Sequence, residues 1–454
     1  MEKFKNFLFV PFALAAILLG SCGEDDPVPV IEEPDPVVID NNLTVSAFTV
    51  SMTGAFNGLT SSEIALGKCG VLYCLDTLNA QSIFNSWKQG NDDAECLVYD
   101  GGKAKTKGFD VTVSNLYPDT AYSFCLFFKS KDDSKREISE VTTFRTLEFK
   151  PQYKSMRADT VRMCYAIVKG SVVIDSHDAS QCSAGLILSD TVDGNLDSPE
   201  HIRIYNAAKG NVKNLRYIAE YLRAGRTYYY RVFVKYTTPD KVEHVVYGPE
   251  KTFSTVSADD WGVDLGLPSG IKWSKSELGQ QDINDAYDII FTEAYYCRWG
   301  SLKGDYYTTD VYEYLNPVDS SYIDIGNNIS GTQYDVAHYV LGGQWRMPTK
   351  EDVEELITYC QVSPPSEKRI SFIYQDYDAT LITREATITG PNKNSIKTLY
   401  GEFWTGTLSD NGSPYAAFYE YNSSTTDPAT IVLVDYVTRT SSLPIRPVWD
   451  PNMK

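Results

Sequence analysis

Hydrophobic and polar residues alternate along many short stretches between residues 43 and 255. As a strand, the stretch 227–236 would have two faces. One face would carry Tyr228, Tyr230, Val232 and Val234, and the other would carry Tyr229, Arg231, Phe233 and Lys235. An alternation of period two is typical of a half-buried β-strand and not of a helix. The pattern therefore predicts a series of short strands in this part of the chain.

The same part of the chain contains an internal repeat. The first copy holds the segment 116–122, an alternating strand and the segment 141–146, and the second holds 222–229, a strand and 250–255. Aligning Thr120 with Thr227 brings the two copies into register. About 100 residues with many short strands fit a β-sandwich. We therefore predict one sandwich over 43–148 and a second over 149–257.

A Leu-x-Pro-x-Thr-x-Tyr pattern precedes the late strand of the first copy and resembles fibronectin type III domains. The second copy departs from the pattern, with Ala224 and Gly225 where the proline and its neighbour are expected. The resemblance implies that Tyr122 and Tyr229 each occupy a strand corner, where the hydroxyl caps nearby backbone. It also implies spacer or binding modules, although a fold does not determine a function.

An apolar run from Phe7 to Leu19 follows the basic residues Lys3 and Lys5. The run is too short to span a bilayer, which needs about 20 apolar residues, and is typical of a signal peptide. It ends in Leu19-Gly20-Ser21-Cys22, which resembles the bacterial lipobox. This resemblance implies a signal peptide over 1–21 and a lipid on Cys22. An ordinary secretory signal is the alternative.

The segment 22–42 is rich in acidic residues, proline and valine and has no helical or strand period. We therefore predict an extended tether. Its residues Gly23-Glu24-Asp25-Asp26 resemble the export tag of Bacteroidota surface lipoproteins. The resemblance implies a protein whose partner is the membrane, held by the lipid anchor on the outer membrane and exposed at the cell surface.

The composition changes after residue 258, where six of the seven tryptophans lie. The stretch 350–359 has apolar residues at helical spacing, and Thr349 is the expected N-cap of that helix. The blocks 263–273, 345–349 and 443–448 resemble, in order, the Fibrobacter succinogenes major paralogous domain. That resemblance implies an α+β, C-type-lectin-like domain over 258–454. The expected fold is thus multidomain: two all-β sandwiches of the fibronectin III or Ig kind, followed by this domain.

The chain is acidic, with 60 Asp and Glu residues, 41 Lys and Arg residues and a net charge of −19. Such a protein repels a phosphate backbone, so we do not expect nucleic acid as a partner. The nine cysteines include Cys22 and form no CxxC or Cys/His ligand pattern. We predict neither a metal site nor a cofactor, and we favour buried free thiols over one or two disulfides.

The sequence offers few catalytic groups. It has four histidines and no G-x-S-x-G, P-loop or zinc-ligand motif, so we predict that the protein is not an enzyme. The lone histidine of the last segment, His338, is expected to be a hydrogen-bonded structural residue. Trp345 and Trp404, each of which has a glycine two residues away, are expected in the core.

Loops of the segment 258–454 mix aromatic residues with Asp and Asn, which can stack on sugar rings and bond their hydroxyls. The candidate ligand-binding residues are Asp305, Tyr306, Tyr307, Asp310, Tyr322, Asp410, Asn411 and Tyr415. Solvated loops are the competing interpretation. We predict adhesion to, or recognition of, a glycan or protein ligand. The alternative is a structural or accessory subunit of an envelope assembly, such as a fibre or a glycan-uptake complex.

Overall fold

The computed structural model describes residues 37–75, 77–100, 108–197, 202–206, 214–279, 294–302, 312–363, 366–374, 377–398, 402–420 and 429–453. The regular structure of these residues is mainly β-strands in several sheets, and helices are few. They fall into two compact units. The first unit contains the described parts of Met1–Thr44, Ser51–Thr112 and Ala121–Phe144, and the second those of Val45–Val50, Val113–Thr120 and Arg145–Lys454.

A β-sandwich forms most of the first unit. Its strands and helices are β1 (Val37–Val45), β2 (Val50–Phe56), α1 (Ser61–Leu66), β3 (Lys68–Cys74), α2 (Ala80–Lys88), β4 (Leu97–Asp100), β5 (Gly108–Val113), β6 (Ala121–Lys129), β7 (Arg136–Ile138) and β8 (Thr142–Arg145). One sheet has the order β1-β2-β5 and the other the order β4-β3-β6-β7, with β8 also paired to β6. Apolar side chains from the second sheet and from α2 form a common core.

Free thiols account for all eight cysteines after Cys22, and six of the eight are buried. This agrees with the prediction of buried thiols. Cys74 and Cys125 belong to the core of the first sandwich, and Cys96 packs partly buried against it. Burial, with a smaller contribution from Cys74, raises the pKa of Cys96 to about 11. At neutral pH this thiol is therefore protonated and a weak nucleophile.

The longest continuous part of the second unit, Arg145–Lys454, starts with a second β-sandwich. Its strands are β9 (Gln152–Asp159), β10 (Ala166–Val173), β11 (Cys182–Ser189), β12 (Ile202–Asn206), β13 (Leu215–Ala219), β14 (Thr227–Thr237), β15 (Glu243–Tyr247) and β16 (Lys251–Ser254), with a 3-10 helix at Ala179–Gln181. The sheets have the orders β13-β10-β9 and β12-β11-β14-β15, with β16 also paired to β14.

Both sandwiches therefore have the same strand order. In each, the first, second and fifth strands make one sheet, and the remaining strands make the other. The predicted internal repeat and the predicted pair of fibronectin III-like β-sandwiches are confirmed. The exact bounds 43–148, 149–257 and 258–454 remain predictions.

The structure aligns the two copies of the repeat one residue away from the predicted alignment. Thr146 Oγ1 donates to the carbonyl oxygen of Thr120, and Thr255 Oγ1 donates to that of Arg226, each at 3.2 Å. Thr120 therefore corresponds to Arg226 and not to Thr227.

The corner tyrosine of the second sandwich is consequently Tyr228, and the prediction of Tyr229 was wrong. The Tyr228 hydroxyl accepts a hydrogen bond of 2.7 Å from the backbone N–H of Arg223. Tyr228 is buried, whereas Tyr229 lies on the opposite face of β14 and is half-buried. The two turns have the same length: Gly225, with φ of +62°, occupies the left-handed position that Asp119 fills in the first copy with φ of +48°. The misalignment arises because Arg226 replaces the threonine of the motif and another threonine, Thr227, follows it.

Small sheets and two short helices make up the rest of the second unit. The elements are β17 (Gly262–Asp264), β18 (Lys272–Ser274), β19 (Tyr296–Arg298), α3 (Val336–Leu341), β20 (Trp345–Arg346), α4 (Lys350–Tyr359), β21 (Gln361–Val362), β22 (Ser366–Tyr374), β23 (Tyr377–Thr389), β24 (Ser395–Thr398), β25 (Glu402–Leu408), β26 (Pro414–Glu420), β27 (Thr430–Val434), β28 (Ser442–Pro444) and β29 (Val448–Trp449). We call residues 258–453 the C-terminal segment.

The sheets of the C-terminal segment bring its two ends together. Their orders are β17-β18-β29-β20, β19-β28, β21-β23-β22 with β24 paired to β23, and β25-β26-β27. Because β18 pairs with β29, the opening and closing blocks of the segment lie side by side. The predicted helix 350–359 is confirmed as α4, and Thr349 forms a capping box with Asp352.

The tryptophans of the C-terminal segment are mainly core residues. Trp299 and Trp404 are fully buried, and Trp345 is buried as well. Trp404 Nε1 donates to the carbonyl oxygen of Cys297 at 2.8 Å, and Trp299 Nε1 donates to that of Thr405 at 2.9 Å. The expectation that Trp345 and Trp404 lie in the core is confirmed.

A completely buried ion pair connects distant parts of this segment. Arg446 and Glu277 are both 0% exposed, and Arg446 Nη1 lies 2.7 Å from Glu277 Oε1. The other terminal nitrogen of Arg446 donates to the carbonyl oxygens of Ser274, Lys275 and Lys397. One guanidinium group therefore holds the opening block, the closing block and β24 in place.

We predict that replacing Arg446 with methionine destabilises the C-terminal segment by about 3–5 kcal/mol, because the variant leaves an uncompensated buried carboxylate. Urea unfolding followed by tryptophan fluorescence measures this, since six of the seven tryptophans lie in the segment. As a control, Arg145→Gln removes an exposed pair with Asp119, whose side chains are each 60% exposed, and leaves the midpoint unchanged. Equal midpoints for both variants would contradict the prediction.

Candidate ligand-binding site

The structure describes half of the predicted ligand-binding residues, namely Tyr322, Asp410, Asn411 and Tyr415. The other half and the predicted lipidation site lie outside the described residues: Asp305, Tyr306, Tyr307, Asp310 and Cys22. Only the first four can be located relative to one another.

Arg439 connects Tyr322 with the turn 409–413. Its guanidinium carbon lies 4.8 Å from the centre of the Tyr322 ring and 5.2 Å from that of the Trp299 ring. Nε and Nη2 of the same group donate to the carbonyl oxygen of Gly412, at 3.1 and 3.0 Å. The structure therefore brings the Tyr322 ring together with the turn that carries two of the other predicted residues.

Within this turn, Asn411 and Asp410 have different roles. Asn411 Oδ1 accepts hydrogen bonds from Ser409 Oγ at 2.7 Å and from the N–H of Ser413 at 2.8 Å, and its Nδ2 donates to the carbonyl oxygen of Asp435. Asp410 is exposed. Asn411 thus shapes the turn, and Asp410 presents a carboxylate to solvent.

Tyr415 belongs to a different surface. The Lys350 ammonium group lies 4.9 Å from the centre of the Tyr415 ring, at the start of α4. Along β26, Ala416 packs into the core that contains Trp299, and Ala417 packs into the other core of the segment. Because side chains alternate along a strand, Tyr415 shares the side of Ala417 and is not brought to Tyr322.

A row of four tyrosine rings runs from Tyr322 through Tyr312 and Tyr314 to Tyr334. Successive ring centres are 6.3, 5.7 and 5.5 Å apart, and the rings meet edge to face, at 78°, 80° and 88°. Such pairs stabilise each other beyond simple burial. The Tyr312 hydroxyl also donates to the carbonyl oxygen of Trp299. The row is therefore anchored to the core at its second ring.

The row ends at a groove of about 640 Å³, which we call the arginine groove. This volume is typical of small-ligand sites. Its lining includes Arg223, Ala224, Arg226, Leu302, Tyr314, Thr332, Gln333, Tyr334, His338, Tyr339 and Gly342. Burial, with a smaller contribution from the carboxylate of Glu313, raises the pKa of Tyr314 to about 12. The Tyr314 hydroxyl is therefore un-ionised at neutral pH.

One wall of the groove comes from the second sandwich. It is the turn before β14, where the guanidinium carbon of Arg223 lies 4.3 Å from the centre of the Tyr339 ring. The backbone of this turn is held by Thr255, whose Oγ1 donates to the Arg223 carbonyl at 2.6 Å and accepts from the N–H of Arg226 at 2.9 Å. These bonds fix the backbone from which both arginine side chains project.

The opposite wall comes from the C-terminal segment and is organised by Asp335. This completely buried carboxylate caps α3 by accepting from the N–H groups of Ala337 and His338, and it also accepts from those of Gly331 and Met347. His338 Nδ1 lies 3.0 Å from the carbonyl oxygen of Trp345, and a carbonyl can only accept, so Nδ1 carries a proton. His338 is thus hydrogen-bonded, as expected from the sequence.

Tyr295 joins the two walls. Its hydroxyl donates to the carbonyl oxygen of Cys164 at 2.8 Å and accepts from the N–H of Tyr221 at 2.9 Å. The rings of Tyr221 and Tyr295 stack with centres 3.8 Å apart. Nearby, the N–H of Ala224 donates to the carbonyl oxygen of Val340 at 2.8 Å. The second sandwich and the C-terminal segment therefore share a packed and hydrogen-bonded boundary.

Several residues of this site were missed in the sequence. Arg223 and Arg226 lie inside the repeat motif, which was interpreted only for its fold. In the corrected alignment of the two copies, Arg223 and Arg226 correspond to Tyr117 and Thr120 of the first copy. Two basic residues at positions that are neutral in the other copy are a signal that could have identified them. Arg439 has no such local signal.

Within the described residues, no group of three or more His, Cys, Asp or Glu side chains is arranged to hold a metal ion. Nor does any helix in the described ranges combine the length and apolarity needed to cross a membrane. The groove instead offers aromatic faces, guanidinium and amide donors, and one imidazole. This set can stack on and hydrogen-bond a polar ligand.

No protein-family model and no curated protein matches this chain. Among solved structures, it is similar to a segment of two fibronectin type III domains from chicken tenascin, with 12% identity and a TM-score of 0.21, covering 48% of this chain and 99% of that one. It is also similar to the sensor domain of the anti-sigma factor RsgI4 of Pseudobacteroides cellulosolvens, with 16% identity and a TM-score of 0.18, covering 24% of this chain and 94% of that one. Both TM-scores are low, and the sandwich fold rests on the strand pairings within this chain.

We expect Tyr295→Phe to destabilise the second unit by about 1–3 kcal/mol, because the partly buried N–H of Tyr221 loses this acceptor. Urea unfolding gives the free energy, and hydrogen exchange should be faster at the Tyr221 amide. Tyr436→Phe is the matched control, since Tyr436 is 73% exposed. Unchanged exchange at Tyr221 in Tyr295→Phe would show that the hydroxyl does not hold the boundary.

Proposed function

We propose that this chain is a lipid-anchored cell-surface protein that recognises a glycan through its C-terminal segment. The observation that carries the proposal is the row of rings from Tyr322 to Tyr334, which ends at the arginine groove. Ring faces can stack on the apolar faces of sugars, and nearby amide and guanidinium groups can bond the hydroxyls. Burial raises the pKa of Tyr312 and of Tyr314, so both hydroxyls stay protonated at neutral pH.

We also propose that the C-terminal segment is a Fibrobacter succinogenes major paralogous domain of the C-type-lectin-like kind. The roles of its motif residues support this. Arg446, from the closing block, is buried against Glu277, and Arg346, from the middle block, pairs with Asp352 and Asp450. Motif residues of a fold family are expected to make such structural contacts.

The cellular location is proposed from the N-terminal sequence. The apolar run 7–19 and the lipobox-like Leu19-Gly20-Ser21-Cys22 support a signal peptide over 1–21 and acylation of Cys22. Two or more acyl chains on one residue anchor a protein stably to a bilayer. The segment 22–36 would then be the tether between the membrane and the folded units, since residues 37–42, predicted as part of the tether, belong to β1 of the first sandwich.

We predict that radioactive palmitate labels the protein in growing cells and that Cys22→Ser abolishes both the label and the membrane association. Cys360→Ser, which removes a partly buried thiol of the C-terminal segment, is the control and should keep both. Persistent labelling of Cys22→Ser, or a wild-type protein without label, would refute the anchor.

We predict specific, saturable binding of the purified protein on a glycan array, and a loss of affinity on the order of tenfold for Tyr334→Ala, because a stacking face is removed. Tyr436→Ala is the control, since this exposed tyrosine lies outside the row, and should bind normally. If no glycan binds and the protein instead co-purifies with envelope proteins, the structural or accessory role replaces the proposal.

A further inference from the structure

We propose that the arginine groove takes a carboxylate-bearing saccharide, with Arg223 and Arg226 binding the carboxylate. This inference rests on the proposed glycan recognition and narrows it to acidic sugars. It follows from three features of the groove: its local charge, the way in which Arg223 is held, and the neutral groups that remain for the rest of the sugar.

The charge of the groove is opposite to that of the whole protein. The chain carries a net charge of −19, yet the charged side chains among the described lining residues are Arg223 and Arg226. In the described part of the chain, neither guanidinium forms an ion pair with an Asp or Glu side chain. A concave surface with two cations that have no ion-pair partner among the described residues attracts an anion.

Arg223 is held in a position suited to a planar anion. Its guanidinium lies over the Tyr339 ring at 4.3 Å, and its backbone is fixed by the Tyr228 hydroxyl and by Thr255. A cation over the face of an aromatic ring is held by cation–π attraction, and a guanidinium keeps a planar fork of N–H donors. Two parallel N–H groups match the two oxygens of a carboxylate. Because the side chain is already ordered, little conformational entropy is lost on binding.

The remaining polar groups suit hydroxyls and not a second charge. Gln333 is exposed, and its amide makes no hydrogen bond with any described residue. Since His338 uses Nδ1 for Trp345, its other ring nitrogen, Nε2, is available to hydrogen-bond a hydroxyl. Tyr334 and Tyr314 add aromatic surface to the lining. A sugar that bears one carboxylate and several hydroxyls fits this combination.

The test measures binding of the full-length, detergent-solubilised protein to matched pairs of saccharides by calorimetry. The pairs are a galacturonic acid oligomer with its methyl ester, and sialyllactose with its methyl ester, so that the two members of each pair differ in the charge of the carboxyl group. We expect an acidic member to bind on the order of tenfold more tightly than its neutral counterpart. Arg223→Gln and Arg226→Gln should each reduce this preference.

Matched variants distinguish the loss of a contact with the ligand from unfolding of the protein. Arg226 is exposed, so its replacement cannot remove core packing. Arg157→Gln makes the same change of charge on an exposed arginine of the same sandwich, in β9, and should leave the preference intact. Arg223→Lys keeps the charge but loses the planar donors, and should bind more weakly than the wild type.

Each outcome decides one point. Tighter acidic binding that depends on Arg223 supports the inference. Equal binding of the acidic and neutral members, or an acidic preference that survives both arginine replacements, overturns the inference and leaves glycan recognition standing. If no glycan binds, either in these pairs or on the array, the proposed function fails, and the inference fails with it.

Discussion

The buried hydroxyl of Tyr295 connects the second sandwich with the C-terminal segment, and the arginine groove depends on that connection. The hydroxyl donates to the carbonyl of Cys164 and accepts from the N–H of Tyr221. Because the side chain is removed from water, which raises the pKa of the hydroxyl, these bonds have no solvent competitor. They fix the arginine-bearing turn relative to the wall that contains His338, although the two are far apart in the sequence.

Local patterns predicted much of the fold. The alternation of Tyr228, Tyr230 and Val232 predicted β14, and Thr349 with its following apolar residues predicted α4, because both patterns depend on neighbours within one turn or one strand. The prediction of the corner tyrosine at Tyr229 was wrong because Arg226 replaces the threonine of the motif in the second copy, and Thr227, one residue later, was aligned in its place. A hydrogen bond, which the sequence does not display, determined the correct residue.

The site was less predictable. Tyr322 and Asp410 were chosen from composition, and the structure brings their loops together through Arg439, a residue without any local signal. Tyr415 was chosen for the same reason but lies against Lys350. Asn411 was expected to bind ligand, and its amide instead braces a turn. Mixed aromatic and polar composition thus indicates exposed loops, but it does not distinguish groups that support a loop from groups that a ligand can reach.

By itself the sequence determined the strand repeat, the capped helix, the acidic net charge and the resemblance of the N-terminus to a lipoprotein signal, since each is a property of adjacent residues or of composition. Only the tertiary structure decided which side chains meet: the buried pair of Arg446 and Glu277, the row of tyrosine rings, and the two arginines that face a wall built from another part of the chain. The physical reason is that such contacts depend on how strands and helices pack, and packing is set by the whole core.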